Sequence, residues 1–235
     1  MTAAVPFVSM VVAARDAERT IGAALESAIA QTYEAFEVIV VDDGSKDRTA
    51  AVARSFNRVC VLDGPGRGPS AARNAGSAVA KGSLLAFLDA DDILPPSKLT
   101  DQAGYLATHP ETDCVLGRQE VFLENERPAW LERDSVFGDF GGVPLMSLVV
   151  RRRVFDAVGG FDESLRIAED RDLLVRLRAK GVGIAVLDTV VLHRRIHDRN
   201  LSLLRPEQHP VLRSLHAKLS RERIAEATAD AQKSG

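Results

Sequence analysis

Residues 84–92, with the sequence LLAFLDADD, constrain the fold more than any other stretch of the chain. The first five are apolar, and a short apolar run of this kind is typical of a strand buried on both faces of a sheet. Three carboxylates follow, with only Ala90 between them. Because a buried strand does not carry charge into the core, we expect these acids to lie at its carboxyl-terminal end.

The three acids, Asp89, Asp91 and Asp92, would repel one another unless a cation lay among them. A set of oxygen ligands suits a hard divalent ion such as Mg²⁺ or Mn²⁺. Two alternatives stay open on these residues alone. One is a solvated, Asp-rich turn before a helix. The other is a phosphatase of the haloacid-dehalogenase type, which fits less well because its motif lies near the N-terminus and is followed by Thr or Val.

Strands and helices alternate along the chain. Apolar runs predict strands at 7–13, 36–41, 59–62, 84–88 and 113–117. Helical spacing predicts helices at 21–29 (with Thr20 as a cap), 46–56, 70–80 and 97–108. This alternation indicates right-handed crossovers and an α/β fold with a mainly parallel, Rossmann-like sheet flanked by helices.

Polar segments come directly after three of the predicted strands, at 14–16 (ARD), 42–43 (DD) and 89–91 (DAD). In a parallel sheet of this type, ligands bind beyond the carboxyl ends of the strands. Three polar clusters that meet at one edge are better explained by one binding site than by three independent turns. The sequence therefore predicts a site for a nucleotide-like ligand at this edge.

A pattern of five segments runs from residue 8 to residue 92: 8–12 (VSMVV), 31–33 (QTY), 36–45 (FEVIVVDDGS), 72–76 (ARNAG) and 87–92 (FLDADD). In order and spacing they resemble the nucleotide-binding half of the family 2 glycosyltransferases, which have the GT-A fold. The segment GGFDE at 159–163 looks like part of the family's acceptor half and extends the resemblance towards residue 200. The resemblance implies an inverting, non-processive glycosyltransferase.

For the donor site, the resemblance implies that Asp43 reads the imide of the nucleobase, with Arg73 nearby. It also implies that Ala14 and Asp16 line the base pocket. The chain departs from the family's pattern at Asp16 and Gly66, where the family often has Asn. On the residues alone, the alternative is that Arg73 is a surface residue of an Ala-rich helix.

For the metal, the resemblance implies that Asp91 binds Mn²⁺ or Mg²⁺, while Asp89 contacts the ribose or reaches the ion through water. The segment HRRIHDRNLS at 193–202 supplies His197, which in similar enzymes closes over the diphosphate as a third metal ligand. Arg195 would hold phosphate oxygens in the bidentate manner of a guanidinium. The alternative for His197 is an ordinary polar loop residue.

A second acidic site lies at Glu169 and Asp170, before leucines spaced as on a helix that packs one side inward. Acids in the first turn of a helix are ordinary, because the helix dipole favours anions there. The resemblance implies more, with Asp170 as the general base and Glu169 positioning the donor or the acceptor. Forming a glycosidic bond requires removal of a proton from the acceptor hydroxyl, and a fixed carboxylate can accept that proton.

The domain organisation that we expect is one GT-A domain at 1–205, with a nucleotide-binding half at about 5–95 and a smaller acceptor-binding half at about 96–205, followed by a C-terminal helix at 206–235. Polar residues from 124 to 142, with Trp130 among them, form a candidate substrate loop. The C-terminal helix could pack on the domain, mediate a homodimer or touch a membrane surface. Its mixed charges weaken the membrane alternative.

Charge and cysteine content bound the class of protein. Acids outnumber bases by 33 to 30, so nucleic acid is not an expected partner. Cys60 and Cys114 lie far apart in apolar runs, and we expect two buried free thiols. No apolar run approaches the ~18 residues that cross a bilayer, and the N-terminus carries no signal-peptide pattern. We therefore expect a cytoplasmic protein.

The expected activity is metal-dependent transfer of a sugar from a nucleoside-diphosphate sugar, with a UDP-sugar as first choice, to an acceptor hydroxyl that the sequence does not identify. The Gln-x-x-Arg-Trp motif of polysaccharide synthases does not occur. Two alternatives stay open. A sugar-1-phosphate nucleotidyltransferase would need a glycine-rich loop near 13–16, where there is no glycine. A non-catalytic nucleotide-sugar binding protein is opposed by the intact Asp89, Asp91 and Asp170.

Overall fold

The computed structural model describes residues 5–124, 145–165 and 169–197. The chain divides into one unit of 1–197 and another of 198–235, and all the described residues belong to the first. The predicted C-terminal helix lies outside the described residues, as does Trp130 with most of the predicted substrate loop. That helix and that loop therefore stay predictions, together with the division into halves.

Strands and helices alternate from residue 8 to residue 123, as the sequence predicted, whereas two helices follow one another between residues 152 and 179. The strands are β1 (Val8–Ala14), β2 (Phe36–Asp42), β3 (Val59–Asp63), β4 (Leu84–Asp89), β5 (Cys114–Leu123), β6 (Val149–Arg151) and β7 (Ile184–Ile196). The helices are α1 (Ile21–Ile29), α2 (Thr49–Arg54), α3 (Pro69–Val79), α4 (Lys98–Thr108), α5 (Arg152–Ala157) and α6 (Glu169–Ala179). None of these helices is long and apolar enough to cross a bilayer.

Within the described residues, the strands form one seven-stranded sheet in the order β3-β2-β1-β4-β6-β5-β7. β1 pairs in parallel with β2 and β4, β2 with β3, and β5 with β7. β6 runs antiparallel to both of its neighbours, β4 and β5. The predicted α/β fold with a mainly parallel sheet is thus confirmed, and the short strand β6, which was not predicted, joins the two parallel parts.

The centre of the sheet is buried, as the apolar run in β4 predicted. Its residues from Leu84 to Leu88 are at most 1% exposed. Parallel strands covered on both faces read as continuous apolar runs for this reason. Phe87 contacts the rings of Phe155 and Phe161, at centroid distances of 5.5 and 5.0 Å. This aromatic cluster packs the segment that precedes α6 against β4.

Helix α2 is shorter than the predicted helix at 46–56, and the loop before it explains the difference. The backbone N–H groups of Lys46 and Arg48 donate to the carboxylates of Asp16 (2.7 Å) and Glu18 (3.0 Å). Asp16 and Glu18 belong to the loop between β1 and α1. Because this loop holds the backbone there, the helix begins later than its residue pattern predicts.

Three further local predictions need correction. Thr20 precedes α1, but its side chain makes no capping hydrogen bond. β5 continues to Leu123, beyond the predicted strand at 113–117, because it pairs with the long strand β7. Cys60 is exposed on the edge strand β3, whereas Cys114 is buried in β5. The expectation of two buried thiols is therefore right for one of them only.

Candidate active site

The carboxyl ends of β1, β2 and β4 lie side by side, which brings the three predicted polar segments to one edge of the sheet. In the strand register, Ala14 pairs with Asp42, and Ala13 pairs with Asp89. The loops that leave parallel strands open a crevice at this edge, where α/β sheets bind ligands. The loops after β1, β2 and β4 therefore border one region.

Asp43 lies in a cradle of backbone N–H groups from the glycine-rich loop. The residue is 3% exposed, and its two carboxylate oxygens accept hydrogen bonds from the N–H groups of Gly66 and Gly68, both at 2.7 Å. The φ angles of these residues, 69° and 107°, are left-handed and favour glycine. Asn also tolerates the left-handed region near 69°, so the Asn that the family often has at the position of Gly66 would fit the same backbone. The cradle fixes the Asp43 carboxylate just beyond β2.

Asp16, in the loop after β1, forms hydrogen bonds with the loop after β2. Its φ of 48° is left-handed, a conformation that Asp adopts more readily than most residues. Its N–H donates to the hydroxyl of Ser45 (3.0 Å), and its carboxylate accepts the N–H of Lys46 (2.7 Å). Ala14, buried at the end of β1, accepts the N–H of Asp43 on its carbonyl oxygen (2.8 Å). The structure therefore places Ala14 and Asp16 at the edge that Asp43 occupies.

Asp89, Asp91 and Asp92 form an acidic cluster at the end of β4, where one carboxylate oxygen from each lies within 4.8 Å of the others. Burial and the charge of Asp89 raise the pKa of Asp91, although a contact with His197 opposes the shift. Burial and the charges of Asp89 and Asp91 raise the pKa of Asp92 well above its ordinary value. A divalent cation would relieve this repulsion, and the all-oxygen set of donors fits Mg²⁺ or Mn²⁺.

Arg73 joins the two acidic sites that the sequence analysis treated separately. Its Nη2 donates to Asp89 Oδ1 at 2.6 Å, and its Nη1 donates to Glu169 Oε1 at 2.8 Å. The Arg73 side chain is 5% exposed and lies over the ring of Phe161, 5.3 Å from its centroid. Burial alone would lower the pKa of Arg73, but the charges of the two carboxylates outweigh it and raise the pKa. The alternative of a surface arginine is therefore wrong.

Glu169 and Asp170 occupy the first turn of α6, as the sequence analysis expected. Burial raises the pKa of Glu169 and the charge of Asp170 adds to this effect, while Arg73 opposes it. The Oδ1 atom of Asp170 accepts the N–H of Arg171 at 2.7 Å. Through Glu169 and Arg73, the start of α6 is attached to the end of β4.

His197 and Arg195 reach the acidic cluster from the end of β7. His197 Nε2 lies 3.0 Å from Asp91 Oδ2. Arg195 Nε donates to the carbonyl oxygen of Asp91 at 2.9 Å, and its guanidinium lies 4.8 Å from the centroid of the Phe122 ring. Both side chains therefore lie beside Asp91, although more than 100 positions separate them from it in the sequence.

The structure brings most of the predicted site residues into one continuous group: Arg73, Asp89, Asp91, Glu169, Arg195 and His197. Ala14, Asp16 and Asp43 form a second group at the same sheet edge. The sequence analysis gave no separate role to Asp92, whose carboxylate accepts the backbone N–H of Arg195 at 2.8 Å. It also gave none to Phe161, although the GGFDE segment was a signal for it.

Two family models match the chain. One, described as "Glycosyl transferase family 2", matches residues 9–165, and the other, "Glycosyltransferase like family 2", matches residues 128–228. Among curated proteins, the succinoglycan biosynthesis protein ExoO of Rhizobium meliloti (strain 1021) is 37% identical over 204 residues. That match covers 77% of this chain and 58% of ExoO, so the chain spans little more than half of that relative.

Solved structures share the fold. The S. aureus protein TarS (residues 1–349) in complex with UDP-GlcNAc matches with a TM-score of 0.68 and 23% identity, over 85% of this chain and 61% of its own. The mannosyltransferase PcManGT of Pyrobaculum calidifontis, in complex with GDP-Man and Mn²⁺, matches with a TM-score of 0.65 and 20% identity. That second match covers 83% of this chain and 58% of PcManGT.

Proposed function

The chain belongs to glycosyltransferase family 2 and has the GT-A fold, and from this we propose that it transfers a sugar from a nucleoside-diphosphate sugar to an acceptor hydroxyl. The acceptor attacks in line with the leaving diphosphate, so the anomeric centre is inverted. Two structures with this fold hold such donors, UDP-GlcNAc in TarS and GDP-Man in PcManGT. We take a UDP-sugar as the first donor to test.

One arrangement carries the proposal: Arg73 binds Asp89 through one nitrogen of its guanidinium and Glu169 through another. Asp89 belongs to the donor and metal side of the site. Glu169 precedes Asp170, which we assign as the base. Because one guanidinium spans the two carboxylates, both sides of the site lie close to each other. A transferase needs its base and its leaving-group machinery near the same anomeric carbon, and this arrangement favours that chemistry.

Mn²⁺ or Mg²⁺ would be held by Asp91, with Asp89 and His197 as further ligands. When bound, the ion neutralises the negative charge that develops on the leaving diphosphate. The protein's own part is to keep the donor atoms together, since His197 Nε2 already lies 3.0 Å from Asp91 Oδ2. A nitrogen atom and an oxygen atom that can both bind a metal ion are therefore adjacent in the fold.

Asp43 is the residue that we assign to the imide N–H of the nucleobase. Each oxygen of an ionised carboxylate accepts more than one hydrogen bond, so the cradle of Gly66 and Gly68 does not exhaust its capacity. Ala14 and Asp16 would border the base at the same edge. Arg195, held beside Asp91, would bind phosphate oxygens.

Asp170 would remove the proton from the acceptor hydroxyl as that oxygen attacks the anomeric carbon. The first turn of α6, where Asp170 lies, favours negative charge because the helix dipole is positive there. Glu169 would position the donor or the acceptor, since its bond to Arg73 holds the start of the helix at the donor side. Each of the two acids then has a distinct role.

A donor screen followed by an assay of nucleotide release tests this function. Thermal-shift measurements with Mn²⁺ and UDP-, GDP-, CDP- and TDP-sugars select the donor, which is then incubated with candidate acceptors. We expect one nucleotide class to stabilise the protein and its sugar to be transferred with inversion. The proposal is wrong if no nucleotide sugar binds, or if the transferred sugar keeps its anomeric configuration.

Replacement of Asp170 by Asn tests the base. The amide cannot accept the proton, so we expect turnover to fall by about 10²–10⁴-fold while donor binding stays close to that of the wild type. Asp172→Asn, on the same turn of α6, is the matched control, because Asp172 binds Arg176 instead. Wild-type turnover in Asp170→Asn would show that another group removes the proton.

A further inference from the structure

A short antiparallel contact joins the loop after β4 to the end of β7. The backbones of Ile93 and His193 exchange two hydrogen bonds, at 3.0 and 2.8 Å. The guanidinium of Arg195 then donates to the carbonyl oxygen of Asp91 at 2.9 Å. We call residues 91–93 and 193–197 together the clasp. It holds the acidic loop and the histidine-bearing segment in one register.

Asp92 occupies the middle of the clasp. Its Oδ1 atom accepts the backbone N–H of Arg195 at 2.8 Å, in the position where a backbone carbonyl would continue the ladder. The residue is 4% exposed, whereas the side chains of Asp89 and Asp91 are 33% and 27% exposed. Asp92 is therefore the least accessible of the three carboxylates in the acidic cluster. Its carboxylate accepts a hydrogen bond from the backbone of β7, at Arg195.

The contact between Asp92 and Arg195 has a consequence for His197. Alternate residues of an extended chain point to the same side, so Arg195 and His197 are both directed towards Asp91 once the register is fixed. Arg195 Nε and His197 Nε2 reach Asp91 at 2.9 and 3.0 Å. A shift of the chain by one residue would turn both side chains away.

We propose that Asp92 is a positioning residue for the metal site rather than a ligand of the ion. Its carboxylate fixes the backbone at Arg195 and thereby holds His197 against Asp91. This inference rests on the proposed function, in which Asp91 and His197 bind the ion. The competing role is that of a third carboxylate ligand, since an oxygen of Asp92 lies within 4.8 Å of oxygens of Asp89 and Asp91.

Two substitutions at Asp92 separate these roles. Asp92→Asn keeps an oxygen that accepts the Arg195 N–H, so Mn²⁺ affinity measured with UDP by electron paramagnetic resonance should stay within about threefold of wild type. Asp92→Ala removes the acceptor and should weaken Mn²⁺ binding by about 10–100-fold, as loss of a supporting contact does at other metal sites. Asp91→Asn is the control for loss of a true ligand. Asp63→Asn, on the exposed end of β3, is the control for loss of a surface charge.

Hydrogen exchange gives a readout that does not depend on activity. The Arg195 amide should stay protected in Asp92→Asn and exchange faster in Asp92→Ala.

In the Mn²⁺ titration, adding His197→Ala to Asp92→Ala should lower the Mn²⁺ affinity little further. The inference is overturned if Asp92→Asn loses as much Mn²⁺ affinity as Asp91→Asn, or if Asp92→Ala binds Mn²⁺ like wild type. The Asn variant alone decides between the roles if Asp92→Ala does not fold. A wild-type protein that binds no Mn²⁺ with any nucleoside diphosphate would overturn the metal assignment in the proposed function as well, whereas failure of the variants alone leaves it standing.

Discussion

Asp89 and Glu169 share the guanidinium of Arg73, and all three side chains are at least two-thirds buried. Removing one partner of such a pair typically costs about 3–5 kcal/mol, because the remaining charge is left without compensation. Asp91 is compensated separately, by its contact with His197. These contacts explain how several acids from distant segments can lie together in the folded chain.

Lys98 is a buried lysine outside the site whose protonation should be visible in the pH dependence of the protein's stability. It is fully buried at the start of α4, where its Nζ donates to Gln102 Oε1 and to the carbonyl oxygen of Ser147, both at 2.8 Å. Burial lowers the pKa of Lys98 from 10.5 to about 7. Between these values the unfolded chain binds a proton that the folded chain does not, so stability should rise with pH.

We expect Lys98→Met to remove this rise. The unfolding free energy of the wild type, minus that of the variant, should increase between pH 7.5 and 9.5 by up to about 1.4 kcal/mol per pH unit. Urea denaturation at several pH values measures it, with Lys81→Met as the control because Lys81 is exposed. Parallel stability curves for wild type and Lys98→Met would contradict the lowered pKa.

The two cysteines should react at very different rates with a thiol reagent. Cys60 is exposed, whereas Cys114 is buried, and burial together with the charge of Asp113 raises the pKa of Cys114 to about 12. Since the thiolate is the reactive form, the native protein should be labelled at Cys60 alone and the unfolded protein at both residues. Cys60→Ser should show no rapid labelling. Rapid native labelling of that variant would mean that Cys114 is accessible.

At the scale of elements, helix α3 is seated closely on the sheet and carries Arg73 into the site. Gly76 makes this approach possible, because a Cβ atom there would lie 2.5 Å from Cγ1 of Val11 and 3.0 Å from Cγ2 of Val41. Those residues belong to β1 and β2. The glycine of the ARNAG segment is therefore explained by the packing of a helix against two strands.

Two glycine-to-alanine substitutions, one in α3 and one in α4, should have opposite effects. Gly76→Ala introduces a clash with β1 and should destabilise the protein by about 1–3 kcal/mol. Gly104→Ala, in α4, meets nothing within 4 Å and should stabilise it by about 0.5–1 kcal/mol through helix propensity. Urea denaturation of both variants measures the free energies of unfolding. An unchanged stability in Gly76→Ala would mean that α3 does not lie as close to the sheet as described.

The sequence predicted the elements whose residue pattern decides their structure, and missed those that depend on partners. The apolar run of β4 and the helical spacing of α4 were predicted correctly, because burial follows from their own residues. The start of α2 was not, since side chains from the loop after β1 hold the backbone there. The short strand β6 was missed because its three residues carry no periodic signal.

At the scale of the whole molecule, the site is built by contacts between segments that lie far apart in the chain. Family resemblance singled out Asp91, Glu169, Asp170 and His197 one at a time. The bond from Arg73 to Glu169 spans 96 positions and the one from Arg195 to Asp92 spans 103, and neither leaves a local pattern in the sequence. The sequence could therefore name the candidate site residues, and the structure was needed to show which of them touch.

The most direct test of the central claim is a calorimetric titration of UDP, GDP, CDP and TDP with and without Mn²⁺. It compares wild type with Asp91→Ala and Asp170→Asn. The account predicts that Mn²⁺ strengthens binding of one nucleoside diphosphate to wild type and to Asp170→Asn, because Asp91 is a proposed ligand of the ion and Asp170 is not. Asp91→Ala should lose that dependence on the metal. Equal affinity with and without Mn²⁺ in wild type, or a full metal effect in Asp91→Ala, would contradict it.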